Sequence, residues 1–428
     1  MSDIKTVKSR LLDEEYSVVT HKSGLKIFVF PKNLATSYAI IATRFGSVDN
    51  TFRLEGEDEF VTVPDGVAHF LEHKMFENED GEDTFVKFSR TGANANAFTS
   101  FRATAYLFSC TDELYPSLEI LLRSVFSPYF TPENVSKEQG IIAQEIKMGE
   151  DNPGNAVLYG MLEGLYEKNS VRINIAGTVP SIMEITPETL YRCHGAFYNP
   201  ANMALCVCGN ASVDKVLEAA DKTLEGIKPV PVYSIGVTEG NEAFKKRVEK
   251  KMQVAKPLCC IGVKDNDISS DPEERVKKDI ALKIITSVCF GRTSLFYSSL
   301  YEDGLISPNF EAWHMHTPSF SFMSVMTDTD EPEAVYSRFE EYTLNGIFCE
   351  LTEENFERAR RVLYSHYIKS FDSTDEIATS LVTDFALEGA EIFNYANHLQ
   401  NITLDYVKDV ASKLFKTEAY TMSTVLPL

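Results

Sequence analysis

The chain has 428 residues, 44% hydrophobic and 24% charged, with 63 acidic side chains against 41 basic ones and a net charge of −22. This is globular composition and excludes a mostly disordered, a collagen-like or a small disulfide-stapled chain. The acidic field repels phosphate backbones and anionic lipid, so no nucleic acid is expected as a partner. No continuous apolar run approaches the ~18–20 residues of a bilayer span, so no membrane span is expected either.

In chain order, Tyr16–Val19 and Lys26–Phe30 read as two short strands joined at Ser23-Gly24, and Tyr38–Thr43 as a further buried strand. Val67 to Met75 has helical spacing, with Asp65 as the expected N-cap beside Gly66. Between Gly92 and Phe108, residues Phe98, Ser100, Arg102, Thr104 and Tyr106 alternate, which predicts one strand. Glu113–Phe126 is an amphipathic helix. Thr131-Pro-Glu-Asn starts another, with Pro at the first position, that runs through Met148.

The chain then repeats itself. Thr186-Pro-Glu-Thr-Leu opens a helix leading into the strand Met203–Cys208, and Thr403-Leu-Asp-Tyr-Val opens a similar helix leading into Tyr420–Leu426, an offset of 217 residues. The same offset carries Ile40-Ile41 onto Pro257-Leu258, and the helix holding His69 into the apolar helix Ile280–Phe290. This is duplication at the scale of a domain. It gives an N-terminal lobe over 1–228, a Pro- and Gly-marked polar linker over 229–244, and a homologous C-terminal lobe over 245–428 without a metal motif.

The chemistry concentrates at His69-Phe-Leu-Glu72-His73. On a helix, positions i and i+4 lie one above the other, so two imidazoles can bind one Zn²⁺. Glu72 can reach a water on that metal and act as general base. With 8 histidines in the chain, this spacing arises by accident in about one chain in a hundred. A third ligand must come from elsewhere. Glu138 and Glu145, two helical turns apart and so on one face, are candidates for ligand and supporting partner, although such pairs usually line a solvated face.

His69-Phe-Leu-Glu-His73 followed by Glu138-x6-Glu145 resembles the inverted H-x-x-E-H motif of the insulinase/pitrilysin and processing-peptidase group, the inverzincins. Gly92-Ala-Asn-Ala-Asn-Ala-Phe-Thr-Ser100 and Phe197-Tyr-Asn-Pro-Ala-Asn-Met203 resemble signatures of the same family, and the likeness extends over nearly the whole chain. It is nearest to half-size bacterial members, which pair into a four-lobe clam shell.

The resemblance implies an α+β fold of two homologous lobes, each a mainly antiparallel sheet packed with helices. It implies His69, His73 and Glu145 as ligands of one zinc per chain, Glu72 as general base, and Glu138 supporting the ligands from behind. Asn96 and Ala97 would begin the strand whose edge receives an extended peptide substrate. The expected activity is that of a zinc metalloendopeptidase on peptides or unfolded segments.

One segment departs from the family pattern. Active members carry an Arg and a Tyr within Leu-Arg-Glu-x-x-Gly-Leu-x-Tyr, which bind substrate carbonyls. Here the stretch is Leu300-Tyr-Glu-Asp-Gly-Leu-Ile-Ser307, with neither residue in place. A homologous subunit without zinc is therefore expected to supply the pair in a heterodimer. A homodimer is the other arrangement, and a non-catalytic subunit of the same fold is the alternative function.

Remaining signals are weaker. His314-Met-His316 puts two rings on one strand face without an acid or Cys cluster to complete a metal site. None of the eight cysteines forms a C-x-x-C pair, and most lie in apolar runs. With no secretion signal visible at Met1-Ser-Asp-Ile, this predicts a reducing cytoplasmic location. Gly291-Arg-Thr-Ser294 reads as a helix end and restart, not a phosphate loop.

Overall fold

A computed structural model describes residues 4–428. The chain forms two compact units. The first comprises Met1–Ile146, Asn174–Ile235 and Ile368–Phe393, and the second Lys147–Ile173, Gly236–Tyr367 and Asn394–Leu428. The expected lobes were contiguous. In the structure each unit instead takes a segment from the opposite half of the sequence, and the middle division, between Ile235 and Gly236, lies inside the expected linker.

The first unit is built on seven strands: β1 (Ile4–Ser9), β2 (Glu14–Thr20), β3 (Lys26–Pro31), β4 (Ser37–Thr43), β7 (Asn94–Thr99), β8 (Thr104–Cys110) and β9 (Met203–Gly209). Their order is β1-β2-β3-β9-β4-β8-β7, while β5 (Thr51–Leu54), β6 (Val61–Thr62) and β10 (Val232–Ser234) form a small separate sheet. Every pair in the large sheet is antiparallel except β3–β9.

β4 and β9 are buried along their whole length, which is why they read as unbroken apolar runs. Ile27, Val29, Ile41, Leu205 and Val207 enter one core with side chains of α1 (Val67–Lys74), α2 (Thr84–Thr91), α3 (Leu114–Phe126) and α4 (Pro132–Glu150). On the alternate positions, Phe30 meets Phe371 and Phe393, and the helix Thr374–Ser380 lies on β4 and β9.

The second unit holds β11 (Arg247–Met252), β12 (Leu258–Lys264), β13 (Phe310–His316), β14 (Ser321–Asp328) and β15 (Tyr420–Pro427) in the order β11-β15-β12-β14-β13. Its parallel pair, β11–β15, is followed by three antiparallel pairs, as β3–β9 is followed in the first unit. The two units thus share this sequence of strand directions. Helix α5 (Pro153–Leu165) covers this sheet. It approaches closely because Gly160 and Gly164 face Ser423 and Thr421: a Cβ on either would stand 2.3 or 2.2 Å from the nearest hydroxyl.

Three details differ from expectation. The cap of α1 is Gly66, at φ 91°, and Asp65 instead accepts a hydrogen bond from Asn50 Nδ2 at 2.9 Å. Glycine is required there because a Cβ would meet Ala176 O at 2.4 Å. The stretch from Gly92 to Phe108 is a hairpin, not one strand: Ser100 and Ala103 close a turn by Ser100 N–H to Ala103 O at 2.8 Å, and Thr99 pairs with Thr104. Finally, Pro272–Glu302 does contain an 18-residue window of mean hydropathy 1.2, but 56% of that window is buried and the chain breaks between helices at Gly291. Ser294 caps the second of these helices, as the reading of an end and restart expected.

Candidate metal centre

Helix α1 is held at its start by the close approach of Gly66 and Gly177 to facing backbone, and by Ser181 Oγ donating to Asp65 O at 2.8 Å. Its Val67, Ala68, Phe70 and Leu71 are buried, each large apolar side chain contributing about 1.5–3 kcal/mol of transfer free energy. That leaves His69, Glu72 and His73 on the less buried side. Helix α4 starts with a reciprocal cap: Thr131 N–H donates to Asn134 Oδ1 at 2.9 Å, and Asn134 N–H to Thr131 Oγ1 at 3.2 Å. Val135, Ile142 and Ile146 anchor it in the same core and turn Glu138 and Glu145 toward α1.

His69, His73 and Glu145 converge. One ligand atom from each lies within 4.8 Å of the other two. Glu145 Oε1 is 3.4 Å from His69 Nε2, and Glu145 Oε2 is 3.6 Å from His73 Nε2. Four tetrahedral bonds of about 2.1 Å hold donor atoms ~3.4 Å apart, so this spacing fits a zinc-sized ion better than direct hydrogen bonds. The donor set, two imidazole nitrogens and a carboxylate, suits Zn²⁺. Accessibility rises from His69 (side chain 12% exposed) through His73 (26%) to Glu145 (49%), so the group faces outward.

Glu138 stands behind His73. Its Oε1 accepts from His73 Nδ1 at 2.9 Å, which leaves Nε2 free to face the ligand cluster. Burial opposes charge on the His73 ring, but the hydrogen bond and charge of Glu138, with Glu145 and Glu72, outweigh it and raise its pKa. Burial likewise opposes ionisation of Glu138, and His73 and Lys74 overcome it, so the carboxyl is held below its usual range. Glu145 is also lowered, chiefly through His69. His69 has no counterpart to Glu138: its Nδ1 is buried and meets no partner among the described residues.

Glu72 is fixed by a residue that sequence reasoning did not single out. Thr99 Oγ1 donates to Glu72 Oε2 at 2.6 Å. Behind them lie Tyr106 and Tyr198, buried and joined hydroxyl to hydroxyl at 2.7 Å. Burial raises both phenols far above their usual range, so they stay protonated. The sequence did carry a signal, because Thr99 and Tyr198 fall inside the two signature stretches quoted above.

Asn96 and Ala97 lie on β7, the last strand of the sheet. From the Ser100–Ala103 bond the antiparallel alternation directs Asn96 and Phe98 toward β8 and the backbone groups of Ala95, Ala97 and Thr99 to the free edge. Ala97 N–H is met there by Asn96 Oδ1 at 2.9 Å. A peptide carbonyl could replace that oxygen.

In the second unit, Leu300 is fully buried, Tyr301 is half exposed and stacked on Tyr297, and Ser307 donates to Asp328. His314 pairs with Asp279 at 2.9 Å and His316 with Ser321 at 2.8 Å. Among the described residues these histidines and their partners do not converge on one point as His69, His73 and Glu145 do.

The chain is similar to known proteins over nearly its whole length. Residues 63–179 match the insulinase family, peptidase family M16, and residues 184–363 match the M16 inactive domain. The chain is 37% identical over 429 residues to the uncharacterized zinc protease YmfH of Bacillus subtilis, with 99% of each chain covered. Among solved structures it is similar to an M16-like chain from Alicyclobacillus acidocaldarius, with TM-score 0.89 and 32% identity over 100% of this chain and 99% of that one. A protease from Helicobacter pylori shares the fold at TM-score 0.82 and 18% identity, over 97% of this chain and 100% of that one.

Proposed function

This chain belongs to the insulinase family of peptidases, family M16, and on that basis we propose that it is the catalytic, zinc-bearing chain of a peptide hydrolase. The observation that carries the reading is the convergence of His69, His73 and Glu145 beside Glu72. One Zn²⁺ would be held by the two Nε2 atoms and the Glu145 carboxylate. When bound, it supplies a Lewis acid that polarises the scissile carbonyl and acidifies water.

The remaining work falls to the chain's own groups. Glu72 takes the proton from the attacking water on its carboxylate and delivers it to the leaving nitrogen. Thr99 holds one Glu72 oxygen so that the other faces the substrate. Extended peptide adds to the β7 edge through backbone groups at Ala97 and its neighbours, with Asn96 beside them, which favours unfolded segments over folded domains.

The Arg and Tyr that clamp substrate in active relatives are absent from Leu300–Ser307, so the productive form is a heterodimer with a homologous, zinc-free subunit. The eight free cysteines, seven of them buried, support a reducing cytoplasmic setting.

A second reading, a binding subunit that no longer cuts, is favoured by that absent pair and by the match of residues 184–363 to the inactive domain. Hydrolysis of an unstructured fluorogenic peptide mixture by zinc-loaded chain separates the two. Cleavage by wild type that is lost in Glu72→Gln supports the peptidase. No cleavage by wild type, even with a co-purified homologous subunit, sinks it in favour of the binding subunit.

A further inference from the structure

We propose that Lys74 is a positioning residue for the metal centre, acting through Glu138 on His73; the proposal rests on the zinc reading above. Lys74 follows His73 directly, yet its side chain is 0% exposed. A lysine is almost never wholly buried without partners, because an unpaired ammonium loses its hydration. Methionine would fill the same space without that cost, so packing does not account for the charge.

The partners of the ammonium lie at the junction of the two ligand-bearing helices. Nζ is 2.6 Å from Glu77 Oε2, donates to Asn134 O at 3.3 Å, and stands 3.9 Å from Glu138 Oε2. Asn134 is one turn before Glu138 on α4, so Lys74 grips that helix beside the carboxylate. Glu138 is itself buried, its side chain 8% exposed, and accepts from His73 Nδ1–H on its Oε1. The Lys74 charge faces the other oxygen.

Helix α1 brings the two imidazoles and α4 brings Glu145, so a tie between the helices one residue from His73 sets the spacing of all three donor atoms. Because His69 Nδ1 has no partner among the described residues, the ring whose orientation is actively held is His73. Lys74 therefore acts on the metal through the chain Lys74–Glu138–His73.

The test is the Zn²⁺ affinity of the purified full chain, by competition with a chromogenic chelator. It compares wild type, Lys74→Met, Glu138→Gln, the double variant, and His69→Ala as a site control, with the melting temperature of each metal-free chain recorded. Lys74→Met is expected to weaken zinc about 10-fold or more. The double variant is expected to be no weaker than Glu138→Gln alone, a coupling that a merely structural role would not produce.

An affinity for Lys74→Met within twofold of wild type, or losses that multiply in the double variant, would overturn the proposal. If Lys74→Met does not fold, Lys74→Gln removes the charge at similar polarity and carries the same expectation. Absence of His69-dependent zinc in wild type would overturn the metal reading itself, and the proposal with it.

Discussion

Thr99 and Glu72 are joined by a 2.6 Å hydrogen bond from the β7–β8 hairpin to helix α1. On the proposed mechanism, the strand whose edge would take substrate thus also aims the carboxylate that would move the proton. Thr99→Val removes one hydrogen bond, roughly 1.4 kcal/mol, and is expected to lower kcat about tenfold at unchanged KM and zinc content. Thr99→Ser should restore it. Steady-state kinetics on a fluorogenic peptide check this, and a change confined to KM would contradict it.

Ligands and proton carrier should separate cleanly. His69→Ala, His73→Ala and Glu145→Gln are each expected to lose zinc on dialysis, whereas Glu72→Gln should retain it while its rate falls about 10²- to 10⁴-fold. Metal analysis beside activity decides the assignment. A zinc-free Glu72→Gln or a zinc-replete Glu145→Gln would reverse it.

The turn of the same hairpin leans on Gly46. Ser47 N–H and Val48 N–H donate to Ser100 O and Phe101 O at 3.2 and 3.1 Å, and a Cβ on Gly46 would stand 2.3 Å from the Phe101 carbonyl. Backbone cannot yield as a side-chain tip can. Gly46→Ala is expected to cost about 1–3 kcal/mol of stability and to lower activity through β7. Gly140→Ala, exposed on α4 with nothing within 4 Å of its added methyl, should instead stabilise by about 0.5–1 kcal/mol. Thermal unfolding of the two variants gives the comparison.

Acid should reveal a buried histidine. Burial pushes the His194 pKa down to about 4, against the pull of its bond to Val125 O at 2.9 Å. Between the unfolded value of about 6.5 and that folded value the unfolded chain binds the proton and the folded chain does not. Stability from this residue is therefore full above that window and declines as pH falls through it, by roughly 3 kcal/mol in all. In His194→Gln the pH dependence of denaturant unfolding over this range should flatten by about one proton. An unchanged slope would mean that the ring is protonated in the fold.

Much of the candidate metal site was legible because helical spacing fixes it locally: His69, Glu72 and His73 need only α1 to form. Assigning Glu145 and Glu138 relied on family likeness, since nothing local says which carboxylate reaches the metal. Thr99 escaped notice because its partner lies 27 residues back, beyond helix α2, and the hairpin turn that begins just after Thr99 was itself missed. The alternation from Phe98 to Tyr106 continues unbroken through the reversal, so periodicity alone could not find it. Asp65 was expected as cap on side-chain chemistry, but Gly66 prevailed through a steric demand made by Ala176, far along the chain. Nothing in the local sequence marks Lys74, whose burial comes from the packing of α1 against α4.

The crossed segments have a consequence for how this chain can be divided. The sheet of residues 4–43, 94–110 and 203–209 is roofed on β4 and β9 by Thr374–Ser380, and the sheet of 247–264, 310–328 and 420–427 by Pro153–Leu165. Cutting at Ile235 would thus yield two fragments, each carrying the other's roof and missing its own. Each fragment would expose the sheet face that its missing helix covers. A gene split there is expected to make products that fold only by finding each other.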